Sequence, residues 1–151
     1  MTLLRSSRVF ADLGDPNTEK SMVSYDIETH LEHGAIPKKL YCNKLLVAPF
    51  RQALTHINQR GFANQVKTWD GCFNIRKKKG GSTHSLHAWG LAVDINAAWN
   101  GWLKTPTMSK ELVQCFLDAG FEWGGYWQNK DGMHFQLSLE TYLSELQKTH
   151  K

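Results

Sequence analysis

The sequence predicts an α+β fold, a small antiparallel sheet flanked by helices. Two kinds of pattern predict it. Residues 43–60, 109–119 and 138–146 repeat apolar side chains at helical spacing, and residues 91–96 and 133–137 alternate apolar with small or polar ones. No internal repeat or low-complexity tract interrupts them, so helices and strands belong to one mixed unit. At 151 residues the chain is expected to be a single domain. Residues 36–151 form its body, and 1–35 are an N-terminal extension packed on it or leading into it.

Taken in order, residues 1 to about 20 are polar and aperiodic, with Gly14, Asp15 and Pro16 marking a turn. Met22 to Leu31 alternates in part (Val23, Tyr25, Ile27), which predicts a short strand. His30 and His33 are read as exposed polar residues, since no third ligand lies near them. From Asn43 to Arg60 the residues Leu45, Leu46, Phe50, Ala53, Leu54 and Ile57 mark the inner face of a helix, and Gly61 stops it. Pro49 is expected to kink this helix or to open a second segment. Phe62 to Trp69 is a candidate strand, followed by a turn at Asp70-Gly71.

Arg76-Lys77-Lys78-Lys79-Gly80-Gly81 is a basic, glycine-ended loop, with Arg76 placed before its flexible part and able to face a site. Ala97 to Pro106 reads as loop. Ser109 caps a helix running to Ala119, with Leu112, Val113, Phe116 and Leu117 inward and Gly120 ending it. Phe121 to Trp127 is aromatic and glycine-rich, suited either to walling a cleft or to filling the core. Ser138 caps a last helix whose inner face is Leu139, Tyr142, Leu143 and Leu146.

Composition sets bounds. Hydrophobic residues make up 41% of the chain and six are tryptophan, which suits a globular core. The net charge of +4 favours polyanionic surroundings, nucleic acid or an anionic cell wall, without selecting between them. The basic loop has neither an aromatic platform nor a groove-reading helix beside it, so no nucleic-acid partner is expected. Cys42, Cys72 and Cys115 are widely spaced with no CxxC, which points to synthesis in a reducing compartment. The first residues lack the apolar core of a signal peptide. No run approaches the roughly 18 apolar residues of a membrane span, so stable membrane insertion is not expected.

The chemistry concentrates in two stretches. In Leu91 to Asn96, Leu91, Val93 and Ile95 face one way and Ala92, Asp94 and Asn96 the other. His87 stands just before, with Gly90 bending the chain between them. In Met133 to Leu137, His134 and Gln136 oppose Met133, Phe135 and Leu137. Side by side, such strands would bring His87, Asp94 and His134 together. Three N/O ligands with an open fourth position is the pattern of catalytic rather than structural zinc. His84 competes as a ligand through an HxxH pair with His87. The glycines at 80, 81 and 90 argue against the helix that pair requires, so His84 is read as a bystander.

Ser85-x-His87-x-x-Gly90-x-Ala92-x-Asp94, then Trp123-Gly124-Gly125, then Asp131-x-x-His134-Phe135 together resemble the zinc peptidases that cut bacterial peptidoglycan peptides. That family includes D-alanyl-D-alanine carboxypeptidases and dipeptidases and phage L-alanyl-D-glutamate endopeptidases, and its fold is shared with the hedgehog signalling domain. The resemblance spans about residues 36 to 138. It implies that His87, Asp94 and His134 bind Zn2+, that Asp131 is the catalytic base, and that Arg76 stabilises the substrate carbonyl. Ser85 and Trp123, within the motifs, become candidate substrate contacts. Aspartate at 131, where many carboxypeptidase relatives carry glutamate, leans toward the endopeptidases.

The expected function is therefore a zinc-dependent endopeptidase cleaving the L-Ala-D-Glu bond of the peptidoglycan stem peptide, of the phage endolysin type. It would be a monomer made in the host cytoplasm and released to the wall through a holin. The alternatives are a D-alanyl-D-alanine carboxypeptidase or dipeptidase and, in another class, a non-catalytic zinc module binding wall or protein.

Overall fold

The computed structural model describes residues 2–78 and 80–149; Lys79, in the basic loop, lies outside them. Four antiparallel strands form the main sheet: β3 (Trp69–Gly71), β4 (Ala92–Ile95), β5 (Phe121–Trp123) and β6 (His134–Leu137), in the order β3-β4-β6-β5. A separate hairpin pairs β1 (Met22–Asp26) with β2 (Lys39–Asn43). The helices are α1 (Ser6–Leu13), α2 (Lys44–Arg60), α3 (Lys110–Leu117) and α4 (Leu139–Lys148). The α+β class with a small antiparallel sheet is as expected.

The expected helices form, and their caps explain their limits. Asn43, Ser109 and Ser138 each accept a backbone N–H of the first turn through the side chain, satisfying a donor that the helix leaves orphaned. Gly61 closes α2 in the left-handed region, at φ 80°. α2 runs through Pro49 as one continuous helix and buries Leu45, Leu46, Phe50, Ala53, Leu54 and Ile57, the face expected of it. Tyr142 of α4 is fully buried and donates its hydroxyl to Asp12 of α1 at 2.9 Å.

Three local readings are corrected. The polar first twenty residues contain α1, whose Val9 and Leu13 enter the core, with Trp89 Nε1 donating to the Gly14 carbonyl at its end. Phe62 to Trp69 is not a strand. Its middle is a 3-10 turn over Ala63–Gln65, and the sheet begins only at Trp69. Asp70-Gly71, expected as a turn, lies within β3, which pairs with β4 through an irregular register. The two central strands, β4 and β6, are buried over their whole length.

The sheet register places the site. Asp94 pairs with His134 and Ala92 with Gln136 across β4 and β6, while Glu122 of β5 pairs with Gln136. Paired residues share a sheet face. One face thus carries Ala92, Asp94, His134, Gln136 and Glu122. The other carries Val93, Phe135, Phe121 and Leu137, all in the core, with Phe116 of α3 stacked on Phe135 at 4.2 Å between centroids.

Candidate metal centre

His87 reaches the polar face from outside the sheet. Leu86–Trp89 is one turn of 3-10 helix, where the glycines around it were read as arguing against a helix. Ser85 starts the turn, its Oγ accepting the His87 N–H at 3.2 Å, and Gly90 ends it at φ 66°. A Cβ on Gly90 would stand 2.7 Å from the Asn43 nitrogen, so only glycine lets this turn lie against the start of α2.

His87, Asp94 and His134 then converge. One ligand atom from each lies within 4.8 Å of the others, and all three residues are buried. His87 Nε2 is 3.2 Å from Asp94 Oδ2, and His134 Nδ1 is 3.3 Å from Asp94 Oδ1. The opposite nitrogens are engaged elsewhere. His87 Nδ1 lies 2.7 Å from the Cys72 carbonyl, which only accepts, so Nδ1 carries the proton. His134 Nε2 lies 2.9 Å from Gln136 Oε1, and the Gln136 amide nitrogen donates to the Leu4 carbonyl at 3.2 Å. That orientation makes Oε1 an acceptor and Nε2 of His134 the donor. Both neutral imidazoles therefore turn lone pairs toward a carboxylate.

Such a cluster calls for a cation. His87 Nε2 and Asp94 Oδ1 are buried without a hydrogen-bond partner among the described residues. An acceptor buried unsatisfied costs about 1–3 kcal/mol, more when charged. Burial opposes ionisation of Asp94, but hydrogen bonds and charge from the imidazoles of His134 and His87, when a proton lies between them and the carboxylate, outweigh it and hold the carboxyl below its ordinary range; with both imidazoles neutral, that place falls to a cation. Burial likewise lowers the basicity of His134, and Asp94, Asp131 and Gln136 more than reverse that. The site stabilises an anionic Asp94 and draws positive charge between the three residues. The donor set of two imidazole nitrogens and a carboxylate fits a metal ion, with the Cys72 carbonyl and Gln136 Oε1 fixing the tautomer of each imidazole.

Asp131 is set beside this centre rather than in it. Its Oδ2 is 3.9 Å from His134 Nδ1, and its carboxyl is buried. Its N–H donates to the Gly124 carbonyl at 3.0 Å, and its own carbonyl accepts the His134 N–H at 3.1 Å. A Cβ on Gly124 would come 2.4 Å from the Asp131 carbonyl oxygen. The first glycine of Trp123-Gly124-Gly125 is thus needed for Asp131 to dock.

Asp131 and His134 open into a cavity of about 320 Å³ whose wall also includes Arg76, Ser85, Trp102 and Trp127. Arg76 is half-buried, and its carbonyl accepts the Ser85 N–H at 2.9 Å, which ties it to the turn carrying His87. Its guanidinium donates to the Lys77 carbonyl at 3.2 Å. Arg76 and Ser85 therefore both line the cavity. Trp123 does not. It packs behind the Asp131 loop, donating Nε1 to the Gly132 carbonyl at 2.7 Å and stacking on Phe135. The tryptophans in the wall are Trp102 and Trp127, the latter 5.4 Å from the His134 ring. His84 stays out of the cluster, edge-on to Trp89. Sequence reasoning missed Gln136 as the support of His134, although its alternation with His134 was the available signal. It also missed Leu3, Leu4 and Arg5, which line the cavity with nothing local to reveal it.

Residues 79–137 match the family model described as D-alanyl-D-alanine carboxypeptidase. No curated protein matches the chain. The segment matched contains all three residues of the cluster and Asp131, and it bears out the family resemblance read from the motifs.

Proposed function

From this family match and the buried His-Asp-His cluster, we propose that the chain is a zinc peptidase of peptidoglycan stem peptides, cleaving the L-Ala-D-Glu bond as an endolysin does. The observation that carries the reading is the metal-ready cluster opening into a cavity whose charged wall is mostly cationic: Arg5, Arg76 and Lys78 against Asp131. A stem peptide is anionic and matches that wall. Aspartate at 131 supports the endopeptidase choice, as the resemblance implies. The matched family, described as D-alanyl-D-alanine carboxypeptidase, favours a second reading, release of a terminal D-alanine.

In either reaction His87, Asp94 and His134 hold the metal. Zinc, when bound, supplies Lewis acidity and lowers the pKa of water toward about 7. Asp131 takes the proton of the attacking water and returns it to the leaving amine. Its carboxylate is oriented for this by the backbone contacts to Gly124 and His134. Arg76 faces the developing oxyanion from the cavity wall. Ser85 holds the His87 turn and borders the substrate.

We further propose that the protein acts as a monomer and reaches the wall from the host cytoplasm through a holin. Among the described residues no helix is long and apolar enough to cross a membrane. Mass spectrometry of muropeptides released from purified sacculi tests the reading. A new N-terminal D-glutamate is expected, and released D-alanine would establish the carboxypeptidase instead. Sacculi left intact by metal-loaded protein would refute both. In cells, lysis is expected on chloroform treatment and not with Asp131→Asn.

A further inference from the structure

The N-terminal residues Leu3 to Arg5 form part of the cavity wall although they lie far outside the matched segment. They are held there firmly. Leu4 is buried, and its carbonyl accepts the Gln136 amide, whose other end supports His134. Directly after it, α1 is pinned by buried Val9 and Leu13, by Trp89 bonding Gly14 and by Tyr142 bonding Asp12. Arg5 is the residue between these two anchors. Its backbone carbonyl accepts the N–H groups of Arg8 and Val9, while its side chain caps nothing.

Arg5 is exposed and has no ion-pair partner among the described residues, whereas Arg8, one turn on, is paired with Asp12. An unneutralised guanidinium on the rim of a cavity is a fork for a carboxylate, which it binds bidentately. Arg76 is committed to the reacting carbonyl under the reading above. Lys78 sits on the exposed basic loop. Arg5 is the remaining arginine, its backbone held between Leu4 and α1.

We propose that Arg5 is a specificity-determining residue that binds a carboxylate of the substrate. The inference rests on the peptidase reading. Stem peptides offer that carboxylate in two places, on the D-glutamyl residue and at the chain terminus, and Arg5 takes one of them. The N-terminal extension is then part of the substrate site, and removing the charge alters which peptides bind without disturbing the metal.

The test is calorimetric binding to the zinc-loaded Asp131→Asn protein, with and without Arg5→Gln. The probes are one stem peptide in three forms: both carboxylates free, the glutamyl carboxylate amidated, or the terminal carboxylate amidated. Arg5→Gln is expected to weaken the free peptide on the order of tenfold, the scale of one charge-assisted hydrogen bond. It should leave unchanged the amidated form that lacks the carboxylate Arg5 reads, and that form names the source. Arg5→Lys should restore part of the loss. Equal effects of Arg5→Gln on all three peptides, or no binding of any of them, would overturn the proposal. Turnover of the same peptides by the wild-type chain separates the two claims. Binding with the Arg5 dependence but no cleavage would sink the peptidase reading and leave the carboxylate site standing.

Discussion

The two histidines of the cluster are held by different means. His87 rides on a single 3-10 turn and is oriented by a backbone carbonyl, that of Cys72. His134 rides on a sheet strand and is oriented by a side chain, Gln136, which is itself oriented by the N-terminal segment. A backbone support cannot be removed by changing its side chain. A side-chain support can, and it exposes the ligand to whatever moves its own anchor. The difference makes the β6 side of the centre the adjustable one. It also joins residues 132 positions apart, Leu4 and Gln136, through one hydrogen bond.

The ligands themselves set the upper limit of any contrast between the two sides. His87→Ala, Asp94→Ala and His134→Ala should each abolish stoichiometric metal binding. Loss of one of three protein ligands leaves too few to hold the ion, and Asp94 additionally supplies the negative charge. Elemental analysis after expression in zinc-supplemented medium checks this. Wild-type protein without zinc, or a ligand variant that retains it, would show that the cluster is not the metal centre.

One step below lies the residue beside the centre. Asp131→Asn should keep the metal and lower turnover about 100- to 10,000-fold, the range typical of a lost general base. Metal loss in this variant would make Asp131 a ligand. Arg76→Ala should also keep the metal, with its smaller loss falling on the catalytic rate rather than on substrate binding. An unchanged rate would take Arg76 out of the reaction.

The same contrast explains what was legible beforehand. Asp94, His134 and Gln136 alternate with apolar neighbours, and that two-residue period both predicted the strands and put these side chains on one face. Nothing local announced that the face would be buried. Part of its cover comes from Leu4, a contact between the two ends of the chain. α1 was missed although Ser6, Val9 and Leu13 stand at helical spacing: only two of the three inward side chains are apolar and Phe10 is left exposed, so the segment reads as polar. The turn carrying His87 was missed for another reason. Gly90 was read as a bend, whereas Ser85 before it and glycine after it are the cap and the left-handed stop of a helical turn. Trp123 was preferred to Trp127 because the motif contained it. The motif's tryptophan serves the loop, donating to Gly132, and leaves the cavity to its neighbour.

The smallest effects separate the two supports directly. Gln136→Leu keeps the volume but removes the acceptor at His134 Nε2. The imidazole is then free to rotate or to change tautomer, and metal affinity should fall about 10- to 100-fold, the usual range when a ligating histidine loses the partner of its other nitrogen. Cys72→Ala is the counterpart on the other side. It removes a buried thiol that donates to the Gly90 carbonyl at 3.6 Å, but leaves in place the carbonyl that holds His87. Burial pushes the thiol well above the range of a free cysteine, so it stays neutral, and its hydrogen bond goes to Gly90 and not to a residue of the cluster. Metal affinity should therefore be unchanged, with a stability loss of about 1 kcal/mol from the vacated volume and the weak bond. Competition with a chelator gives the affinities, and urea denaturation of the metal-free proteins gives the stabilities. The decisive result is the affinity ratio between the two variants. If Cys72→Ala weakened the metal as much as Gln136→Leu, the His87 side would be no more rigid than the His134 side. The backbone support would then confer no advantage, and the Leu4-Gln136-His134 chain would lose its claim to be the point at which the N-terminal segment acts on the centre.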